Sequence, residues 1–540
     1  MYFGTPPLVI QTPAVASVLF AHGHLLRYDD KQFAIGKPYP PLATLYAAAH
    51  LRALGHEVAL YDPMLDKDTY GFTHALDRVR PDLVVLYDDA FNWFTKMCLG
   101  RMRVAARALC AEAHARHLPV IVGGHDAADD PQIYLDAGAS FVIVGEAELT
   151  LGELVARISA AGVPKATDRG DSGASTDAQR SANGAARAFD DINGLVFRER
   201  GFVRKTTPRR LLQDLDELPL PAWDLVDMDR YRTFWRERHG YFSLNMVTTR
   251  GCPYKCNWCA KPVYGNTYHS RSPPNVVEEM RLLRTTYAPD HLWFCDDILG
   301  LKTKWLAAWS QEVSSQGLAT PFLCQTRADL MTDENVRALR AAGCAEAWLG
   351  AESGAQAVLD AMDKGITVDE IRAAAGRLRA VGIRVGLFLQ FGYPGEGWSE
   401  IQATRALVRD VRPDDIGISV SYPLPGTRFY ERVRERLGEK HNWDQSTDLD
   451  PLFPGVFSRD FYQTLARTVH AEFRTRRGAR AALTMIGDPL RTDWAGLRSA
   501  ADLRHAGRWV VERARLQMAR RGESNSQKPS PPSGPERPGA

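Results

Sequence analysis

Three cysteines crowd into residues 248–262, TTRGCPYKCNWCAKP, as Cys252, Cys256 and Cys259. Sulfurs at C-x3-C-x2-C spacing are metal ligands, and their number restricts the metal. Structural zinc takes four ligands, usually as two separated pairs, and the nearest further candidate, His269, ten residues after Cys259, is not at a convincing spacing. A [4Fe–4S] cube held by three thiolates instead leaves its fourth iron open to bind a substrate. The remaining cysteines, Cys98, Cys110, Cys295, Cys324 and Cys344, are scattered among apolar residues as buried core thiols would be. The trio therefore reads as the ligand set of an iron–sulfur cluster.

Such a loop needs a scaffold. Between residues 240 and 430, strand patterns at 243–249, 291–296, 320–325, 345–351, 383–391 and 416–422 alternate with helical ones. Six βα units predict a partial (β/α)6 barrel of the TIM type, whose chemistry belongs at the carboxyl ends of its strands. The cysteine loop directly follows the first of these strands. FCDDILG, CQTRADL, WLGAESG, FLQFGYPGEG and SYPLPGTRFY end the other five.

Residues 1–158 alternate short β-branched runs (ASVLFAH, HEVALYD, PDLVVLYDD, LPVIVGG, SFVIVGE) with Ala/Leu/Arg helical stretches. That alternation predicts a doubly wound parallel sheet of Rossmann type, with ligands at its carboxyl edge. Residues 159–190, rich in Ala, Gly, Ser and Asp, read as a flexible insertion. Residues 191–239 form a hairpin and a proline-braced bridge, 431–520 a basic helical region, and 521–540 a disordered tail. The fold class is α/β throughout.

Composition narrows the function. With 67 basic and 65 acidic residues the net charge is +2, so a nucleic-acid partner is not expected. No apolar run reaches the ~18–20 residues of a transmembrane segment. The N-terminus lacks a basic stretch and is broken by Pro6, Pro7 and Pro13, so no signal peptide is expected. Scattered thiols suit a reducing, cytoplasmic location.

With Trp258 ahead of its last cysteine, and with the strand-end stretches quoted above, the barrel resembles the radical S-adenosylmethionine (SAM) superfamily. The resemblance implies that Cys252, Cys256 and Cys259 ligate a [4Fe–4S] cluster whose open iron chelates SAM. One electron then cleaves SAM to a 5′-deoxyadenosyl radical. An external donor such as flavodoxin or ferredoxin would supply that electron. By the same resemblance the Trp258 backbone meets the adenine, and Asp296 or Asp297 the SAM ammonium. Arg327 would pair with the SAM carboxylate, Glu352 and Ser353 with the ribose, and Gln390 would line the pocket. No catalytic side chain beyond the cofactors is implied.

KPYPPLATLYAAAHLRALGHEVALYD, VIVGGHDAADDP and FVIVGEAELTLGEL resemble the cobalamin (B12)-binding branch of that superfamily. Gly123, Gly124, Gly145 and Glu146 would then border the corrin. The Asp-x-His-x-x-Gly motif of other B12 proteins is absent, and His22, His24 and His125 do not fit its spacing, so the resemblance implies no histidine on cobalt. The implied function is methylation of an unactivated carbon of a small-molecule, natural-product or lipid-type substrate, through methylcobalamin. A cyclase or rearrangement enzyme with the same cofactors is the alternative. A cobalamin or iron–sulfur sensor is the reading from another class.

Overall fold

The computed structural model describes residues 15–88, 99–161, 189–261, 263–437, 449–487 and 501–526. Most of the expected insertion (162–188) and residues 527–540 of the expected tail lie outside them. The last helix, Ala506–Ser526, runs past the 520 boundary expected from sequence. The chain divides into two compact units, one of Met1–Tyr254, Ala260–Thr326 and Glu334–Ala345, the other of Lys255–Cys259, Arg327–Asp333 and Glu346–Ala540.

In the first unit, strands β1 (Ser17–Ala21), β2 (Glu57–Tyr61), β3 (Leu83–Tyr87), β4 (Val120–Gly123) and β5 (Phe141–Ile143) form a parallel sheet. The hairpin β6 (Leu195–Glu199) and β7 (Phe202–Lys205) adds to β5 antiparallel, giving the order β2-β1-β3-β4-β5-β6-β7. Every residue of β3, LVVLY, is buried, as a parallel strand covered on both faces requires. Order reverses between β1 and β3, so the topological switch point lies beyond Ala21 and Tyr87.

The same unit holds β8 (Ser243–Met246), β11 (His291–Phe294) and β12 (Phe322–Thr326), paired in parallel. A ribbon of β9 (Thr249–Arg250) and β10 (His269–Ser270) closes the base of the cysteine loop. Strand β13 (Cys344–Glu352) begins in this unit, where Phe322 N–H donates to Gly343 O at 3.2 Å, and continues into the second.

There it pairs in parallel with β14 (Arg384–Phe391), and β14 with β15 (Asp415–Val420). The second sheet thus reads β15-β14-β13-β12-β11-β8 in chain order, an open parallel sheet of six strands. All six lie where the sequence places them. Gly386 exists because Trp348 lies against it: a Cβ there would sit 2.3 Å from the indole. Thr367 and Glu370 form a capping box at the start of helix Val368–Ala380. The C-terminal helices Arg459–Gly487 and Ala506–Ser526 are tied by Thr468 Oγ1 to Glu512 O (3.1 Å). The α/β class, the doubly wound first domain, the partial barrel and the helical C-terminal region are all present.

Candidate active site

The cysteine loop is held by its own backbone. Gly251 has φ +81°, and a Cβ there would meet Thr267 O at 2.5 Å, so glycine is required. Lys261 Nζ donates to Cys252 O (3.0 Å), to Tyr254 O and to Asn266 Oδ1 (2.9 Å). In the second unit Asn257 N–H donates to Met362 O (3.0 Å), and its amide to Ala361 O (2.8 Å) and Asp363 Oδ2 (2.9 Å). Tyr393 Oη donates to Asn257 Oδ1 at 2.8 Å. Backbone and amide groups are thus engaged, while Cys252, Cys256 and Cys259 remain half-buried thiols outside any disulfide.

Among the described residues no three His, Cys, Asp or Glu side chains are set to hold a single metal ion. A polynuclear cluster asks something different of its ligands, one thiolate for each of several irons. Three reduced cysteines on a glycine-hinged loop at the carboxyl end of β8 satisfy that demand in number and chemistry.

The expected SAM residues fall into two groups. Asp296 is buried after β11, and its Oδ1 accepts from Thr248 N (2.8 Å), Thr249 N (2.5 Å) and both threonine hydroxyls (3.0 and 2.7 Å). Burial, opposed by these bonds, pushes its carboxyl up to about 6, and Oδ2 is buried without a partner among the described residues. Asp296 therefore pins the chain leading into the cysteine loop, whereas its neighbour Asp297 is exposed. Gln390 is buried and donates from Nε2 to Ser421 Oγ at 2.9 Å. The Trp258 indole N–H is buried without a partner among the described residues.

In the second unit, which also holds Trp258 and Gln390, Glu352 closes β13 with φ +58°, a left-handed conformation that costs a non-glycine residue about 1–3 kcal/mol. Its carboxylate accepts from Lys364 Nζ at 2.8 Å, both side chains being buried. Ser353 Oγ bonds Thr404 Oγ1 (3.1 Å) and accepts from Ala355 N (3.1 Å). Arg327 donates from Nε and Nη2 to Asp329 (3.0 and 3.3 Å) and points Nη1 at Cys256 Sγ, 3.9 Å away. Lys364 was not legible as a site residue: it stands in DAMDKG with no motif to mark it.

At the carboxyl edge of the first sheet the glycines differ. A Cβ on Gly123 would strike the Tyr87 ring at 2.6 Å and one on Gly124 would strike Asp88 at 2.7 Å, so these two serve close packing. Gly145, at φ +96°, has nothing within 4 Å of its missing Cβ and leaves open space for a broad ligand. Glu146 is committed elsewhere: it accepts from Arg250 Nη1 (3.0 Å) and Leu212 N (2.6 Å), while Arg250 Nη2 reaches Glu148 at 2.6 Å. Burial, opposed by Arg250, raises the Glu146 pKa. Beyond β1, His22 bonds Asp62 (3.0 Å) through Nε2 and accepts His24 N–H (3.2 Å) at Nδ1. Burial and His22 push His24 down to about 4, so it is neutral near pH 7. The open glycine after β5 leaves room for a large, flat face, while the neutral His24 is buried beyond β1.

Comparison with known proteins agrees with this layout. The radical SAM superfamily model matches residues 246–408 and the B12 binding domain model residues 33–155. An uncharacterised methyltransferase of Pyrococcus horikoshii is 25% identical over 449 residues, spanning 82% of this chain and 89% of its own. The anaerobic magnesium-protoporphyrin IX monomethyl ester cyclase of Rubrivivax gelatinosus is 23% identical, over 79% and 72%. Among solved structures, the radical SAM methyltransferase TsrM of Kitasatospora setae shares the fold with TM-score 0.61, at 18% identity over 78% of each chain. The cobalamin-dependent radical enzyme OxsB gives 0.62, at 15% identity over 86% of this chain and 68% of its own. A sheet with room at its carboxyl edge, joined in one chain to a barrel with three clustered thiols, thus has its counterpart in both matches: the chain belongs to the cobalamin-binding radical SAM enzymes, whose cofactors are a [4Fe–4S] cluster, SAM and cobalamin.

Proposed function

We propose that the chain methylates an unactivated carbon of a small-molecule substrate, of natural-product or lipid type, in the reducing cytoplasm. When bound, the cluster supplies the electron that splits SAM to a carbon radical, and cobalamin carries the methyl group. Cys252, Cys256 and Cys259 hold the cluster. Asp297, exposed beside the committed Asp296, takes the SAM ammonium, and Gln390 and the Trp258 backbone border the nucleoside. Gly145 gives the corrin its clearance at the edge of the first sheet. The protein positions these groups and excludes water, and no side-chain base is needed for hydrogen abstraction. The observation carrying the reading is the methyltransferase relative that spans both domains.

The cyclase relative, which also spans both domains, supports a second reading: oxidation or ring formation without methyl transfer. Anaerobic turnover with reductant, SAM, methylcobalamin and an extract of candidate substrates separates the two. Methylation yields S-adenosylhomocysteine and 5′-deoxyadenosine in equal amounts; deoxyadenosine alone leaves the cyclase reading. Replacing the chemical reductant by flavodoxin or ferredoxin tests the electron donor.

A further inference from the structure

Cys256 has company that the reaction as proposed does not use. In the second unit, the Arg327 guanidinium spends Nε and Nη2 on Asp329, and Nη2 also reaches Gly365 O at 3.4 Å. Those bonds fix the plane of the fork and aim the remaining prong, Nη1, at Cys256 Sγ. Lys364 stands nearby with its ammonium buried. Gly350 keeps room for it, since a Cβ there would come within 2.7 Å of Nζ. Burial alone would lower the Lys364 pKa, but Glu352 and then Cys256 more than offset it, and the net shift is upward. Arg327 and Lys364 are each at most 7% exposed at the side chain, so little water screens them.

We propose that Arg327 and Lys364 tune the cluster, as two buried cations beside the Cys256 thiolate that favour its reduced form. The inference rests on the reading of Cys256 as a cluster ligand. Reduction adds one electron, and so one negative charge, to the cluster and breaks no bond. Buried positive charge and N–H donation to a ligating sulfur stabilise that added charge and raise the reduction potential. This role differs from the SAM-carboxylate role that resemblance implies for Arg327. Asp329 and Glu352 act as anchors: each holds its cation in place by a direct ion pair.

The test is an EPR-monitored redox titration of the full chain, reconstituted anaerobically, with iron content and SAM affinity measured on the same samples. Arg327→Gln and Lys364→Met are expected to keep full iron content and to titrate at a lower potential than the native chain. Lys364→Arg, which restores the charge, should return close to the native value. Unchanged midpoints at full iron content overturn the inference, as does a loss of SAM affinity with the midpoint unmoved. If Lys364→Met does not assemble, Arg327→Gln decides the question. It loses both the charge and the N–H aimed at Cys256 Sγ, so its midpoint must fall, and an unshifted one overturns the proposal. A native chain that takes up no iron sinks the cluster reading itself, a separate failure visible before any titration.

Discussion

Arg250 and Glu148 meet in the interior of the first unit, Nη2 2.6 Å from Oε1, while Glu146 takes the other prong at 3.0 Å. Arg250 ends β9 and stands two residues before Cys252, whereas both glutamates follow β5 of the doubly wound sheet. The guanidinium also lies over the rings of Tyr46 and Tyr264, 5.4 Å from each centroid. The residue two before Cys252 is therefore fixed by the B12 binding domain.

Arg250→Met leaves two buried carboxylates without their cation. Removing one partner of a buried pair costs about 3–5 kcal/mol, so the urea midpoint of the variant should fall by a corresponding amount. A midpoint within error of the native chain would show that the pair contributes nothing to stability.

Each of Cys252→Ala, Cys256→Ala and Cys259→Ala should abolish the visible iron–sulfur absorbance and bring bound iron close to zero. Cys110→Ala, at a buried thiol in helix Leu99–Ala115, should retain both. Gly251→Ala forces a Cβ against Thr267 O and should lower iron occupancy with all three thiols intact.

Asp296 and Asp297 separate by role. Asp297→Asn should weaken SAM binding tenfold or more at unchanged melting temperature, read by equilibrium dialysis and scanning calorimetry. Asp296→Ala, which strips the acceptor from four donors, should lower the melting temperature first. The reverse pattern would exchange the two assignments.

Glu396 gives a pH signature. It is fully buried after β14, accepts Gly392 N–H at 2.5 Å, and burial pushes its carboxyl from 4.5 up to about 8. The folded chain thus holds a proton that the unfolded chain releases near pH 4.5. Its stability contribution is full below that value and is lost as pH rises toward 8. Glu396→Gln, uncharged at every pH, should flatten the decline in melting temperature between pH 5 and 8; an unchanged slope would assign the decline to other groups.

Much of the fold could be read from local pattern, because its strands are continuous apolar runs. LVVLY and VGLFLQF announce buried parallel strands without help from distant residues. The three thiols were legible for the same reason: their spacing is local. What escaped was set by partners far along the chain. Glu146 follows a strand end, where the resemblance places the corrin, but its carboxylate belongs to Arg250, 104 residues on. Gly123 and Gly124 resemble clearance for a ligand, yet the bulk they accommodate is Tyr87 and Asp88. Lys364 has no marker of its own, since only the turn of the backbone at Glu352 brings an ammonium to that carboxylate.

That turn has an evolutionary corollary. Glycine at position 352 would sit at ease in a left-handed bend and free the strand end of its torsional load. It would also take from a buried lysine the carboxylate it pairs with, so drift toward the more comfortable residue is closed off. Selection at this site should preserve the awkward backbone for as long as the ammonium it balances remains.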